Sequence, residues 1–192
     1  MKKRCSWLNL NNEKYIKYHD NEWGRPIHDD QKHFEMITLE GAQAGLSWET
    51  ILNKRERYRV VFKDFDPAKV AKFTKKDVAK LMLDPGIVRN RLKIESTISN
   101  AKAFIEVQEE FGSFDKYIWA YVGKPIINSF QGKELPSKTD ISEKISKDLK
   151  KRGFRFVGST IIYAYMQAIG MVQDHSKDCY LGGKKIRELK SN

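Results

Sequence analysis

Apolar residues in this chain recur at helical spacing much more often than they alternate with polar residues. Two stripes share the spacing i, i+4, i+7 and i+11, which is that of one face of a helix. They consist of Ile94, Ile98, Ala101 and Ile105, and of Ile161, Tyr165, Ala168 and Val172. The pattern predicts an all-α fold. The segment from Gly123 to Leu135 has neither period, and we expect it to be a surface connection.

Capping residues mark helix starts at three places. Asp66 precedes Pro67, and proline is favoured at the first helical position. Two further pairs have the spacing of a capping box, in which side chains three positions apart cap each other's backbone amides. They are Thr74 with Asp77, and Asp140 with Glu143. We predict that a helix begins at each of these places.

The segment from His33 to Gly45 predicts a helix with an acidic residue beside its apolar face. The apolar face consists of Phe34, Ile37, Gly41 and Ala44. Glu40 falls on the flank of this stripe and not opposite it. We therefore expect the Glu40 carboxylate to lie near the edge of the core.

Composition narrows the class of protein. The chain has 192 residues, of which 40% are apolar, enough for one compact unit. Its 36 Lys and Arg residues against 25 Asp and Glu give a net charge of +11, which favours a polyanionic partner such as nucleic acid. A basic but inert surface, or a cationic surface that binds membranes, is the alternative. No apolar run reaches the roughly 18 residues of a membrane span, so we expect a soluble, cytoplasmic protein.

A turn between two predicted helices is a candidate DNA contact. Between Leu81 and Ile94 one helix ends, Pro85 and Gly86 make a tight turn, and a second helix starts. Three positive side chains follow the turn: Arg89, Arg91 and Lys93. Backbone amides at such a turn and helix start can bind a DNA phosphate. An ordinary connection between two helices would have the same pattern.

The two cysteines of the chain each have a histidine nearby in sequence. His19 follows Cys5, and His175 precedes Cys179 by four positions. Two Cys and two His suit a closed tetrahedral zinc site. A disulfide, which a reducing cytosol disfavours, and two unrelated buried thiols are the alternatives.

Aromatic residues are concentrated near the start of the chain, where three of the four tryptophans lie in the first quarter. The group consists of Trp7, Tyr15, Tyr18, Trp23 and Trp48. Most residues of this kind belong to a core. Beside an acceptor such as Glu40, however, stacked rings would also form a pocket for a flat, cationic heterocycle.

Several long and chemically unusual blocks resemble one known family. They are Arg4 to Trp7, Tyr18 to Gly24, Leu39 to Gly41, Gln43 to Trp48, Gly86 to Arg89, Lys151 to Gly158, Met166 to Ala168, and Asp174-His175 through to Cys179. Over roughly residues 4 to 180, the chain resembles the 3-methyladenine DNA glycosylase I family. The resemblance implies an all-helical helix-hairpin-helix fold and hydrolytic excision of 3-methyladenine from alkylated double-stranded DNA, leaving an abasic site.

The resemblance also implies roles for particular residues. One structural zinc ion would join the two ends of the chain through Cys5, His19, His175 and Cys179. Glu40 would hydrogen-bond the base in a pocket walled by Tyr18, Trp48, Trp7, Trp23 and Tyr15. Gly45 and Leu46 would present a turn to DNA, with Leu46 filling the space left by the displaced nucleotide. The hairpin would add DNA contacts from Gly86, Ile87, Val88, Arg89 and Arg91.

We predict a single monomeric unit over residues 1–192 with two lobes. The helix-hairpin-helix lobe would span about 29–135, and the zinc-bound terminal lobe would combine 1–28 with 136–180. Residues 181–192 would form a basic tail containing Lys184, Lys185, Arg187 and Lys190.

The expected mechanism lacks a strong acid-base group. Many helix-hairpin-helix glycosylases are similar in having a catalytic Asp some twenty residues past the hairpin, but residues 101–110 contain none. A cationic alkylated base leaves as a neutral molecule, so it needs little protonation, and Glu40 is expected to serve recognition. Glu106, more simply a solvated residue, is the alternative carboxylate. A non-enzymatic DNA-binding module and a zinc-dependent hydrolase, which would need an open metal position, are the competing classes.

Overall fold

Most of the chain is helical in the computed structural model, which describes residues 2–128 and 135–182. The α-helices within these ranges are α1 (Glu13–Asn21), α2 (Asp30–Gln43), α3 (Trp48–Val61), α4 (Pro67–Val70), α5 (Lys75–Met82), α6 (Arg91–Phe111), α7 (Phe114–Trp119), α8 (Asp140–Lys151) and α9 (Ser159–Ala168). A 3-10 helix spans Lys63–Phe65, and two short strands are β1 (Ile126–Ile127) and β2 (Val172–Gln173). The predicted all-α fold is confirmed as far as a mostly helical chain, but Val172, predicted to lie on the same helix face as Ile161, lies in β2. The predicted tail, residues 181–192, begins too early, because Leu181 is buried in an apolar cluster. Residues 183–192 lie outside the described part of the chain.

The strands correct the prediction that the whole segment from Gly123 to Leu135 is a surface connection. β1 and β2 run parallel, with Ile126 opposite Val172. The Ile126 amide donates to the carbonyl of Met171 at 2.9 Å. Two paired residues are too few to create an alternating pattern, so the sequence carries no sign of this pairing. Residues 129–134 lie outside the described part of the chain.

Two of the three predicted helix starts are confirmed. Asp66 caps α4, with Pro67 in its first turn, and Thr74 forms a capping box with Asp77 at the start of α5. The third is shifted by one residue, because Thr139 and not Asp140 is the N-cap of α8. The Thr139 hydroxyl accepts from the amide of Ser142, whose hydroxyl accepts from the Thr139 amide.

Helix α2 lies at the centre of the main core. Its residues from His33 to Ala42 are all buried, because α3, α6, α7 and α9 pack around it. Glu40 is therefore only 3% exposed, deeper than the predicted position at the edge of the core. The fold buries the Glu40 carboxyl group, and a buried carboxylate without a partner is unfavourable, so the group is either paired or protonated.

A second apolar cluster joins the two ends of the described chain. It consists of Cys5, Tyr18, Trp23, Leu52, Cys179 and Leu181. Trp48, at the start of α3, packs against this cluster and against the main core. The main core extends from Phe34 to Val172 and includes side chains of α8 and α9. The division into two lobes stays a prediction. Among the described helices, none is long and apolar enough to cross a bilayer.

Candidate functional site

An aromatic cavity of about 290 Å³ lies between α1, α2, α3 and α9. All five aromatic residues singled out in the sequence line it: Trp7, Tyr15, Tyr18, Trp23 and Trp48. The rings of Tyr18 and Trp48 are tilted with centroids 5.2 Å apart, and those of Trp7 and Trp23 meet edge to face at 4.9 Å. The concave wall of rings can stack a flat heterocycle, since each ring-to-base stack contributes about 1–3 kcal/mol.

Glu40 is the acidic group of this pocket. Its Oε2 atom is buried without a hydrogen-bond partner among the described residues, and so is Nε1 of Trp48. Burial alone raises the pKa of Glu40 to about 8. An unpartnered buried carboxyl group is costly, and a ligand that donates hydrogen bonds or carries positive charge would remove that cost.

Four further residues line the pocket that were not predicted to do so: Gln43, Leu135, Ala164 and Gln167. Gln43 lies three positions after Glu40 on α2, so the two side chains share a helix face. Ala164 and Gln167 have the same spacing on α9. The i, i+3 relation to Glu40 could have identified Gln43, whereas nothing in the sequence alone relates α9 to the pocket.

Four side chains with metal-binding atoms meet beside the pocket. They are Cys5, His19, His175 and Cys179, all buried, with ligand atoms within 4.8 Å of one another. Sγ of Cys5 lies 3.5 Å from Nδ1 of His175, and Sγ of Cys179 lies 3.6 Å from Nε2 of His19. Tetrahedral zinc with bonds of about 2.3 Å to sulfur and 2.0 Å to nitrogen requires sulfur-to-nitrogen separations of about 3.5 Å. The donor set and its spacing fit a metal ion.

The second nitrogen of each histidine also has a partner. Nδ1 of His19 lies 2.8 Å from Oδ1 of Asp20, and Nε2 of His175 lies 3.3 Å from the carbonyl oxygen of Trp23. These contacts place the ring proton on the far nitrogen of each histidine. Nε2 of His19 and Nδ1 of His175, which face the cysteines, are then free to bind a metal ion. Burial opposes ionisation of Cys5, but its side-chain contacts with His175 and His19 outweigh it and lower its pKa to about 5. Burial and the neighbouring Cys5 raise the pKa of Cys179 to about 11. The thiolate form, which binds metals, is therefore favoured at Cys5.

The Cys-His cluster formed by Cys5, His19, His175 and Cys179 shares a wall with the aromatic pocket. Trp23 lines the pocket while its carbonyl oxygen accepts from His175. Trp7 also lines the pocket, and its ring meets that of His19 at 5.4 Å. A change in the position of either histidine would therefore move an aromatic wall of the pocket.

The predicted hairpin contacts have partners within the protein. α5 and α6 pack against each other, joined by residues 83–90. The amides of Gly86 and Ile87 donate to Asp84, and the amide of Val88 donates to the hydroxyl of Tyr58. The side chain of Ile87 is buried, so only its backbone can reach a ligand. The side chains of Arg89 and Arg91 are exposed.

Lys93, the third positive residue after the turn, has an internal role. Its Nζ donates to the carbonyl oxygens of Ala42 and Ala44 at 2.8 and 2.6 Å, which stabilises the end of α2. Beyond this end, Gly45 has a φ of +76°, the left-handed conformation that glycine adopts without strain. The next residue, Leu46, is 42% exposed at the tip of the turn before α3. Gly45 and Leu46 thus form a protruding turn held at its base by Lys93.

An aromatic pocket with one buried acidic group, in a mostly helical chain, has the shape and chemistry that suit a flat heterocycle. A family model described as methyladenine glycosylase matches residues 7–182. The chain therefore belongs to the methyladenine glycosylase family.

Relatives agree along nearly the whole chain. The DNA-3-methyladenine glycosylase of Haemophilus influenzae is 48% identical over 181 residues, covering 93% of this chain and 97% of the relative. DNA-3-methyladenine glycosylase 1 of Escherichia coli K12 is also 48% identical, covering 94% and 98%. A solved structure of 3-methyladenine DNA glycosylase I from Staphylococcus aureus, described for its 3-methyladenine recognition, has a TM-score of 0.90 and 37% identity. It matches 94% of this chain and 97% of its own.

Proposed function

We propose that this protein is a monofunctional DNA glycosylase that excises 3-methyladenine from alkylated double-stranded DNA. The observation that carries the proposal is the unpartnered Glu40 carboxyl group, buried at 3% exposure within an aromatic pocket. The full-length similarity to DNA-3-methyladenine glycosylases supports it. A base inside a duplex cannot reach such a pocket, so the target nucleotide must be flipped out of the helix.

Glu40 binds the flipped base by hydrogen bonding and charge. Burial, which raises its pKa to about 8, keeps the Glu40 carboxyl group mostly protonated at neutral pH until a base binds. A cationic base beside it favours the carboxylate and lowers that pKa, so binding pairs two opposite charges in a desolvated site. Stacking on Tyr18 and Trp48 adds about 1–3 kcal/mol per contact. The pocket therefore selects a base that is flat and positively charged.

Bond cleavage follows from the chemistry of the base. 3-Methyladenine in DNA carries positive charge and leaves as a neutral molecule, so the glycosidic bond breaks with little help from an acid. Water then attacks the sugar carbon, and the product is an abasic site without strand cleavage. Glu106, the alternative carboxylate, is exposed on α6 and does not line the pocket, which supports Glu40 as the functional acid.

One zinc ion is the metal that we propose for Cys5, His19, His175 and Cys179. Two thiolates and two imidazoles are soft and borderline ligands of the kind that zinc prefers. With all four positions filled by side chains, the ion stabilises the fold and leaves no open position for water. This closed set argues against a zinc-dependent hydrolase.

The DNA-binding surface that we propose combines two turns. α5 and α6 would form the helix-hairpin-helix element, with Gly86, Ile87 and Val88 offering amides and Arg89 and Arg91 offering charge to phosphates. Those amides already donate to Asp84 and Tyr58, so a DNA phosphate would have to replace these two acceptors. Leu46, exposed beside Gly45, would fill the space of the flipped nucleotide. We propose that the protein acts as a monomer in the cytoplasm, where bacterial DNA is found.

The experiment is a base-release assay on methylated duplex DNA, with released bases separated by chromatography. We expect the wild type to release 3-methyladenine and Glu40→Gln to reduce its rate about a hundredfold, because a charge-assisted hydrogen bond is lost. DNA affinity should change little. Glu106→Gln is the matched control and should behave as the wild type, since Glu106 is exposed on α6.

Three results would contradict the proposal. Absence of 3-methyladenine release by the wild type would reject the activity. Equal losses of base release and DNA affinity in Glu40→Gln would mean that Glu40 is structural. Unchanged function in both Glu40→Gln and Trp48→Ala would favour a non-enzymatic DNA-binding module.

A further inference from the structure

Gln167 lines the base pocket from the last turn of α9, and its amide has a fixed orientation. Nε2 donates to Oδ2 of Asp174 at 2.7 Å. A carboxylate only accepts hydrogen bonds, so the NH2 group must face Asp174 and the oxygen Oε1 must face away from it. The backbone is held too, because the carbonyl of Gln167 accepts from the amides of Gly24 and Gly170 at 3.0 and 3.2 Å.

Asp174 is buried at 2% exposure and is held by neutral donors. Nδ2 of Asn128 donates to Oδ1, and the hydroxyl of Tyr163 donates to Oδ2, both at 2.7 Å. In the described part of the chain no Lys or Arg forms an ion pair with it. A carboxylate buried without a cation has a desolvation cost, so it stabilises the fold poorly. Its clearest effect is to fix the direction of each donor, including the amide of Gln167.

We propose that Gln167, oriented by Asp174, is a specificity-determining residue whose Oε1 is a second hydrogen-bond acceptor in the pocket beside Glu40. The inference rests on the proposed glycosylase function. Adenine has a 6-amino donor where guanine has the acceptor O6. Two acceptors therefore favour a 6-amino purine, whereas a 6-oxo purine would face them with an unpaired oxygen. A site built for a particular hydrogen bond rejects a base that cannot form it, because its own polar groups stay unpaired.

The test compares release of 3-methyladenine and 3-methylguanine from duplex DNA by the wild type and two variants. Gln167→Met keeps the length of the side chain and removes the acceptor. We expect kcat/KM for 3-methyladenine to fall about tenfold, from the loss of one buried hydrogen bond. The value for 3-methylguanine should fall much less, so the ratio of the two should drop about fivefold or more.

Asp174→Asn tests the orientation separately. Its NH2 group can donate to Oε1 of Gln167, so the Gln167 amide can turn over and present Nε2 to the pocket. We expect the selectivity ratio to fall further than in Gln167→Met, because a donor then faces the base. Tyr163→Phe is the control, since it removes another donor to the same Oδ2 atom while the Gln167 amide keeps its own bond. It should leave the ratio unchanged.

A second measurement is independent of catalysis and DNA. Free 3-methyladenine or 3-methylguanine is titrated into each protein while the fluorescence of the pocket tryptophans is followed, with zinc content measured in parallel. We expect the affinity ratio to follow the release ratio. Equal losses for both bases in Gln167→Met and Asp174→Asn, with both ratios unchanged, would overturn the inference and leave Gln167 a packing residue. If the wild type released neither base, the proposed function would fail, and the affinity ratio would still decide the role of Gln167.

Discussion

The Cys-His cluster and the aromatic pocket share a wall, but only in the cluster do the buried polar groups all have partners. In the cluster, each ring nitrogen of His19 and His175 has a partner, either a thiol or an oxygen. In the pocket, Oε2 of Glu40 and Nε1 of Trp48 have none among the described residues. A site with every group paired stabilises a fold, whereas unpaired buried groups cost stability unless a ligand binds them. The four Cys and His side chains thus have the paired polar groups of a structural site, whereas the pocket has the unpaired groups that a ligand would satisfy.

The largest expected effect on stability comes from removing one of the four candidate metal ligands. Cys179→Ser should prevent binding of the proposed zinc ion and lower the free energy of unfolding by about 5 kcal/mol or more, because that ion would join the two ends of the described chain. For a chain of this length, that loss lowers the melting temperature by about 10–20 °C. Calorimetry with metal analysis measures both, and base release should fall as well.

Asp178→Asn is the control for that variant. Its ion pair with Lys3 is on the surface and screened by water, so its removal should leave the stability nearly unchanged. A zinc-free Cys179→Ser protein with wild-type melting temperature and activity would show that the two sites are independent.

The second prediction concerns the free energy that the fold loses when the buried Glu40 carboxyl group ionises. The folded pKa of Glu40 is about 8 against an ordinary 4.5, so the wild type loses stability as pH rises from 4.5 through 8. Glu40→Gln has no such loss. We expect the variant to be about 2–4 kcal/mol more stable than the wild type at pH 8 and about equal at pH 4, since each pKa unit corresponds to about 1.36 kcal/mol.

Denaturant titrations at several pH values measure this difference, and Glu106→Gln provides the baseline. A difference between Glu40→Gln and wild type that stays constant with pH would mean that Glu40 is not protonated by burial. The comparison between the two sites would then lose its basis.

A smaller effect is expected from Asp20→Asn, which leaves the four ligands in place. Asp20 accepts from Nδ1 of His19 and from Arg4, so its loss frees the ring to rotate. Outer partners of this kind contribute about 10–100-fold to metal affinity. Competition with a chromogenic chelator should detect the weaker binding, whereas the zinc-saturated protein should melt near the wild type. Unchanged zinc affinity would limit the metal site to its four ligands.

The smallest effect is expected at the rim of the pocket. Leu46→Ala should reduce base release from duplex DNA about fivefold, because an exposed side chain that fills the flipped position loses roughly 1 kcal/mol of apolar contact. Stability and affinity for free 3-methyladenine should not change. Val60→Ala, another exposed aliphatic residue, is the control. A loss of free-base affinity in Leu46→Ala would place Leu46 in the pocket and not at the DNA surface.

Local signals made much of the fold predictable. The capping box of Thr74 and the Asp66-Pro67 start depend on residues three positions apart or fewer, and both are confirmed. The predicted N-cap of α8 was wrong by one residue, because Thr139 and Asp140 are both favourable N-cap residues. The pairing of Ile126 with Val172 depends on tertiary packing, and no local pattern predicts it.

The site was predictable where the residue types are rare. Two cysteines and two histidines near opposite ends of the chain suggested a cluster, and the family blocks related the aromatic residues to a pocket. Gln43 and Gln167 were missed because glutamine is common at surfaces and neither carries charge. The depth of Glu40 was also missed, since the amphipathic pattern of α2 does not reveal that helices cover every face.

The contact between Cys179 and His19 has a consequence for biosynthesis. These residues are 160 positions apart, and Gln167 and Ala164 of the pocket also come late in the chain. A nascent chain with only α1 to α6 has Glu40 and all five rings of the pocket, but it lacks His175, Cys179 and the α9 wall. The pocket therefore needs the chain as far as Gln167, and the proposed metal site needs it as far as Cys179, so both sites can be completed only late in synthesis. Incomplete chains would therefore be unable to bind damaged bases.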